Sequence, residues 1–180
     1  VTPDGIRRSV DESIERLDIV DLNPEVFALN RHFEKASGAV LTDPRVRLFA
    51  DDGRQYLKLT NESYDFATME PPPPLMPGIS RLYSAEYYEA LKERLNPGAL
   101  VSQWLPEAQM PAEAVDLVVR TFVDAFPHAL LFVGAPRELI LVGSSSPVRL
   151  SRLEEALPGA SDAVQGSRQG FLQARESNRR

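Results

Sequence analysis

The sequence contains no cysteine among its 180 residues, so it can build neither a disulfide framework nor a thiolate metal site, and no metal is expected. It has no long hydrophobic run. Its longest apolar stretches, ALLFVGA and ELILVG, fall far short of the roughly 20 residues that a membrane helix needs. Lysine is scarce, at 3 against 17 arginines, and the arginines are scattered rather than gathered into a basic stripe. With a formal net charge of −6 the chain repels phosphate backbones, which excludes nucleic acid as the expected partner and favours a cationic small ligand. No stretch has the charged start, apolar middle and small-residue cleavage site of a signal peptide, so a cytoplasmic location is the expectation. No G-x-G occurs anywhere, and there are no internal repeats. The first residue is Val1 rather than methionine, and the expectation is a chain cut from a longer one.

What is present reads as one α/β domain: 43% hydrophobic and 26% charged residues are globular proportions, and the length suits a single core. LDIVDL (17–22) predicts a strand, and Asn23-Pro24 an N-cap with proline at the first helical position. Val26, Leu29 and Phe33 then recur at helical spacing and predict one buried face. VRLFA (46–50) predicts a second strand, DDGRQYLKL a tight turn and short helix, and YDFATM (64–69) a third strand. Ser84 is placed to cap a helix AEYYEALKERL whose Tyr88, Leu91 and Leu95 share a face. Asn96-Pro97-Gly98 stops it before the strand ALVSQWL. Pro111 opens a further helix carrying Val115, Val118, Val119, Phe122 and Phe126, closed by Pro127. ALLFVG (129–134) and ELILVG (138–143) are joined so closely that only an antiparallel hairpin can connect them. The expected organisation is a domain over residues 1–150, then a short helical stretch SRLEEAL and an unstructured polar tail over residues 151–180.

Strands alternating with helices and followed by an antiparallel pair predict an open, mostly parallel sheet with helices on both faces. Such sheets bind ligands beyond the carboxyl ends of their strands. Three acidic sites fall there: Asp21, the Asp51-Asp52 pair and Glu70, all expected to line one edge. Asp21 is either a ligand for two ribose hydroxyls or a solvated carboxylate near a helix N-terminus, and position alone weighs the two equally. Asp52-Gly53 offers a carboxylate to an adenine amino group, with glycine allowing the tight turn, but Asp-Gly is also a common turn dipeptide. Glu70 is different. The strand before it is apolar, and the four prolines behind it, Pro71 to Pro74, cannot donate to a sheet ladder and hold φ near −65°. A stiff, extended loop therefore presents this carboxylate. The bland alternative is a polyproline spacer or docking segment, for which four prolines are few. His32 and His128 read as packing or surface residues.

The succession IVDLNPEV, DPRVRLFADDGRQYL, YDFATMEPPPP, LYSAEYYEALKERLNPGALVSQWLP resembles the spermidine and spermine synthase family, the aminopropyltransferases, and especially its bacterial spermidine synthase-like members. The resemblance covers about residues 14–145. It implies the Rossmann-like fold of S-adenosylmethionine-dependent methyltransferases and transfer of an aminopropyl group from decarboxylated S-adenosylmethionine to a polyamine such as putrescine. It admits a homodimer. By this resemblance Asp21 is the ribose ligand, Asp52 with Gly53 the adenine site, and Glu70 the catalytic carboxylate. Tyr64, Gln103 and Trp104 fall in segments that flank that pocket, with no direct role assigned to them.

Two departures accompany the resemblance. Glutamate stands at residue 70 where the family has aspartate, followed by PPPP rather than a Ser-Ser-Asp-Pro-like loop. The family's first strand and glycine-rich loop are expected just upstream of Ile14, the strand lying in the family's sheet between those of LDIVDL and YDFATM; VTPDGIRRSVDESIE stands there, its tail suited to the helix after that loop but its head no strand. The expectation is thus a fragment, or a rearranged N-terminal segment. A non-catalytic nucleoside- or partner-binding member of the fold is the alternative reading, and an S-adenosylmethionine-dependent methyltransferase a third.

Overall fold

Hydrogen bonding divides the strands among the described residues into two sheets, one of two strands and one of four. The structure, a computed structural model, describes residues 13–33, 40–133 and 138–148. The expected helix and tail of residues 151–180, the segment 1–12 and the connection 134–137 lie outside these described residues. Contacts group the chain into two compact units, Val1–Thr60 and Asn61–Arg180.

In the first unit β1 (Leu17–Asp21) and β2 (Val46–Ala50) pair in parallel, from Leu17 opposite Val46 to Asp21 opposite Ala50. The short helix α1 (Pro24–Leu29) begins as expected, with Asn23 Oδ1 accepting the Glu25 amide at 3.0 Å and Pro24 in the first turn. Its expected buried face is not formed. Val26, Leu29 and Phe33 are 46%, 55% and 62% exposed. The helix has only six residues before the chain tightens into a 3₁₀ turn at Asn30–His32, too short to lay an apolar stripe on the two-stranded ladder.

What holds this unit is polar. Asp18 on β1, its side chain 3% exposed, accepts Arg47 Nε at 2.7 Å and Nη2 at 2.6 Å, and the Tyr56 hydroxyl at 3.0 Å. A carboxylate removed from water in this way is tolerated only because its oxygens are engaged. Arg47 also lies over the Phe49 ring, 5.6 Å from its centroid, and Phe49 packs on Tyr56 at 4.7 Å. Tyr56 belongs to α2 (Gly53–Leu59), so one cluster ties both strands to the helix that follows them. At the Asp43-Pro44 turn, hydrogen bonds from the Arg45 side chain and amide hold the Asp43 carboxyl down to about 2.

The second unit is built on the order β3-β4-β6-β5. β3 (Tyr64–Met69) runs parallel to β4 (Leu95–Pro106), which pairs antiparallel with β6 (Glu138–Gly143), itself antiparallel to β5 (Leu130–Val133). The parallel crossover is carried by α3 (Ala85–Lys92), whose Ser84 cap accepts the Tyr87 amide at 3.3 Å. This helix ends at Lys92, one turn early, so Leu95 opens β4 instead of extending the helical face. α4 (Ala112–Ala125) follows β4.

Alternation along β4 turns Ala99, Val101, Gln103 and Leu105 inward, against α3 and α4. Tyr88, Phe122 and Phe126, all fully buried, meet edge-on or tilted with centroids 4.9–5.9 Å apart. These rings lie so close to β6 that a Cβ on Gly143 would stand 2.6 Å from Phe126 Cβ and 2.7 Å from Phe122 Cε1. On the opposite face Phe66 and Ile140 are 55% and 38% exposed, so among the described residues this sheet has helices on one face. No helix among the described residues is long and apolar enough to cross a membrane.

Because that contact is with ring atoms and a backbone-linked Cβ rather than a flexible chain end, Gly143→Ala is expected to destabilise the protein by about 1–3 kcal/mol, the usual cost of overpacking. Urea denaturation of the two proteins measures it; equal midpoints would mean that the rings give way freely.

Candidate functional site

The parallel pairing of β1 with β2 brings Asp21 and the Asp51-Asp52 pair to one edge. The Asp51 amide donates to the Asp21 carbonyl at 3.1 Å, extending the ladder past both strand ends. Asp21 Oδ1 accepts the Asn23 amide at 2.8 Å, which closes the turn into α1. Its other oxygen carries no hydrogen bond among the described residues. Asp52 is exposed and caps α2: its Oδ1 accepts the amides of Arg54 at 2.8 Å and Gln55 at 3.1 Å. Its Oδ2 likewise has no partner among the described residues. Asp51 Oδ1 accepts the Asp52 amide at 2.8 Å. Gly53 begins the helix with open space around its Cβ position, so it is a turn residue here rather than a point of close approach.

The turn and capping roles of these carboxylates are thus present in the structure. One oxygen of each serves the backbone, and the other is left to accept from a hydroxyl or an amino group.

Glu70 belongs to the second unit and follows the last residue of β3. It is exposed and makes no hydrogen bond or ion pair among the described residues. The prolines behind it are anchored. Pro71 is buried, and the Tyr83 hydroxyl donates to the carbonyls of Pro71 at 2.9 Å and Pro72 at 3.0 Å. Tyr83 is 5% exposed and ends the 3₁₀ turn Ile79–Tyr83 that leads into α3; burial pushes its hydroxyl up to about 12.

Next to this strand end lies a polar pair. Gln103 stands opposite Met69 in the parallel register and is fully buried. Its Oε1 accepts the Tyr88 hydroxyl at 2.7 Å, while its Nε2 is buried with no partner among the described residues. An orphaned buried donor costs about 1–3 kcal/mol. Burial raises the Tyr88 hydroxyl well above the tyrosine range, against the opposing effect of the Gln103 bond, so it remains a donor. Trp104 follows Gln103 at the same end of the sheet but on the other face of β4, where its Nε1 donates to Glu138 at 2.6 Å, whereas Tyr64 opens β3 at the opposite end. His32 and His128 are exposed. Among the described residues no group of three histidine, aspartate or glutamate side chains is placed to hold a metal ion.

Sequence reasoning passed over Tyr83 and read Tyr88 only as a packing residue of its helix; only the structure shows where the two hydroxyls go.

Residues 7–134 match the family described as the spermine/spermidine synthase domain. Among characterised relatives, polyamine aminopropyltransferase 2 of Aquifex aeolicus is 23% identical over 145 residues, covering 77% of this chain and 29% of that protein. Polyamine aminopropyltransferase 2 of Pseudomonas aeruginosa is 38% identical over 93 residues, covering 50% of this chain and 26% of that protein. A spermidine synthase solved in complex with the transition state analogue AdoDATO superposes with a TM-score of 0.67 at 16% identity, over 77% of this chain and 49% of that one. The chain thus spans less than a third of these two relatives and about half of that solved chain. Together the matched span and the α/β fold with its parallel ladders place the chain in the spermine/spermidine synthase family.

Proposed function

We propose that this chain belongs to an aminopropyltransferase, with nucleoside-binding carboxylates in its first unit and a proton-accepting carboxylate in its second. In that enzyme an aminopropyl group passes from decarboxylated S-adenosylmethionine to a polyamine. The observation that carries this reading is that Asp21, Asp52 and Glu70 each stand at or just past the carboxyl end of a parallel strand with carboxylate oxygen left free. Sheets of this kind take ligands at those ends. The net charge of −6 suits a polycationic acceptor.

In this reading the free oxygen of Asp21 accepts from the ribose hydroxyls, and that of Asp52 from the adenine amino group. Glu70 binds the acceptor as an ammonium and takes its proton, which frees the nitrogen lone pair. That nitrogen forms a bond to the aminopropyl carbon beside the sulfonium, the carbon–sulfur bond breaks, and its electron pair returns to sulfur, leaving neutral methylthioadenosine. Holding the reactants in line contributes the rest of the acceleration. The second reading is a nucleoside-binding member of the family that does not turn over, and the glutamate followed by four prolines at residues 70–74, a departure from the family's pattern, favours it.

The tests use the protein expressed from its complete gene. Asp21→Ala is expected to weaken methylthioadenosine binding by about 1–3 kcal/mol, the range for hydrogen bonds to a charged partner. Asp52 needs two variants because it is also a cap. Asp52→Asn keeps a good N-cap, so it is expected to leave the melting temperature nearly unchanged while weakening the nucleoside, whereas Asp52→Ala loses about 1 kcal/mol of stability as well. Calorimetric affinities equal to wild type in Asp21→Ala and Asp52→Asn would remove the nucleoside assignment.

Glu70→Gln is expected to lower spermidine formation from putrescine by about 10²–10⁴-fold with nucleoside affinity intact. Mass-spectrometric detection of product decides it. Full activity in Glu70→Gln excludes the general base, and nucleoside binding without transfer to any amine puts the non-catalytic reading ahead.

A further inference from the structure

We infer that Tyr83 is a positioning residue for Glu70, acting through the carbonyls of Pro71 and Pro72. The inference rests on the reading of Glu70 as the proton acceptor. It starts from what four prolines cannot do. With no N–H to donate, Pro71 to Pro74 cannot be held by a sheet ladder or by a turn bond of their own; the segment offers only carbonyl acceptors. Its φ angles are fixed by the rings, and Pro71 also excludes helical conformations at Glu70, so the freedom that remains lies in the ψ angles of residues 70 to 72. Those angles set the directions of successive carbonyls. One hydroxyl bonded to two successive carbonyls, at 2.9 and 3.0 Å, removes that freedom where it matters for the residue just before them.

The donor is itself well anchored. Tyr83 is 5% exposed and is followed directly by the Ser84 cap of α3, whose Tyr88 is fully buried and bonded to Gln103 of β4 at 2.7 Å. The same strand lies beside β3, with Gln103 opposite Met69, the neighbour of Glu70. Glu70 is thus held from both sides: by the sheet through Met69, and by α3 through Tyr83 and the proline carbonyls. Its own side chain makes no bond among the described residues, so the backbone sets where that side chain starts and which region its rotamers can reach. Burial pushes the Tyr83 hydroxyl up to about 12, so it is a protonated donor at neutral pH.

Tyr83→Phe tests the inference, because it keeps the ring and removes the donor. In the protein from the complete gene, the Met76 amide, which bonds to the Pro73 carbonyl at 3.2 Å, is expected to exchange with solvent about tenfold faster, with Val101 and Leu105 of β4 unchanged. The kcat for aminopropyl transfer is expected to fall about 10- to 100-fold, the order that a small misplacement of a reacting group costs, with methylthioadenosine affinity unaltered. In a Glu70→Gln background Tyr83→Phe is expected to have no further effect on kcat, whereas a general structural role would lower the melting temperature and act additively. Unchanged Met76 exchange overturns the inference, as does an unchanged kcat in Tyr83→Phe when Glu70→Gln alone abolishes transfer. If Glu70→Gln is fully active, the reading of Glu70 fails and takes the positioning role with it, and the exchange result then reports only that Tyr83 holds the loop.

Discussion

The close approach of two phenylalanine side chains to one glycine in β6 is the contact on which the second unit depends. Phe122 and Phe126 occupy the space that a side chain at Gly143 would fill, and this seats α4 directly on the sheet backbone. Tyr88 packs edge-on against both rings, which fixes α3 in turn. Once α3 is fixed, so is Tyr83, one residue ahead of its cap, and with Tyr83 the carbonyls of the proline segment. A route from hydrophobic packing to the placement of one surface carboxylate can therefore be followed contact by contact. Its links are of different strength. The aromatic contacts are dry and numerous, while the last link is a single shared proton, and a change there acts on position rather than on stability.

The first unit solves a similar problem by other means. A two-stranded ladder with a six-residue helix buries little apolar surface, and its organisation rests instead on Asp18, Arg47 and Tyr56. Engaging both Asp18 oxygens with a forked guanidinium sets the two strands in register, and Tyr56 then draws α2 onto them. That fixes where α2 begins, and hence where its cap, Asp52, stands relative to Asp21. The carboxylates at the strand ends have two oxygens for two tasks. Each gives one to the backbone, which orients the other without a further residue.

Much of this was legible in the sequence because strands and caps carry local signals. The strands at 46–50, 64–69 and 138–143 follow from β-branched and aromatic runs bounded by turn residues, and the Asn23 and Ser84 caps from their place before helical periodicity. The antiparallel hairpin followed from the shortness of its connection. The failures have one cause, that apolar spacing tells which residues could share a face but not whether anything covers it. Val26, Leu29 and Phe33 satisfy the helical pattern and remain exposed. Gln103 left a faint signal, a polar residue at an inward position of an alternating strand. Tyr83 left none, because its partners lie eleven and twelve residues back in a segment whose own periodicity says nothing about donors.

The departures at residue 70 then acquire a common physical reading. By the resemblance, glutamate stands where the family has aspartate; its extra rotatable bond brings rotamer freedom that would be lost on meeting a ligand. A Ser-Ser-Asp-Pro-like loop has amides and hydroxyls with which to fold upon itself, whereas four prolines have neither. What the prolines offer is a backbone already restricted before any ligand arrives, so the freedom gained in the side chain is offset by freedom absent from the chain beneath it. The restriction is only partial, since ψ stays open. A donor from outside the segment is what completes it, and the buried hydroxyl of Tyr83, protonated well beyond neutral pH and bonded to two carbonyls in succession, is that donor. Glutamate, tetraproline and tyrosine thus read as parts of one substitution: a longer side chain on a stiffer base, with the base fastened to the helix that the core holds in place.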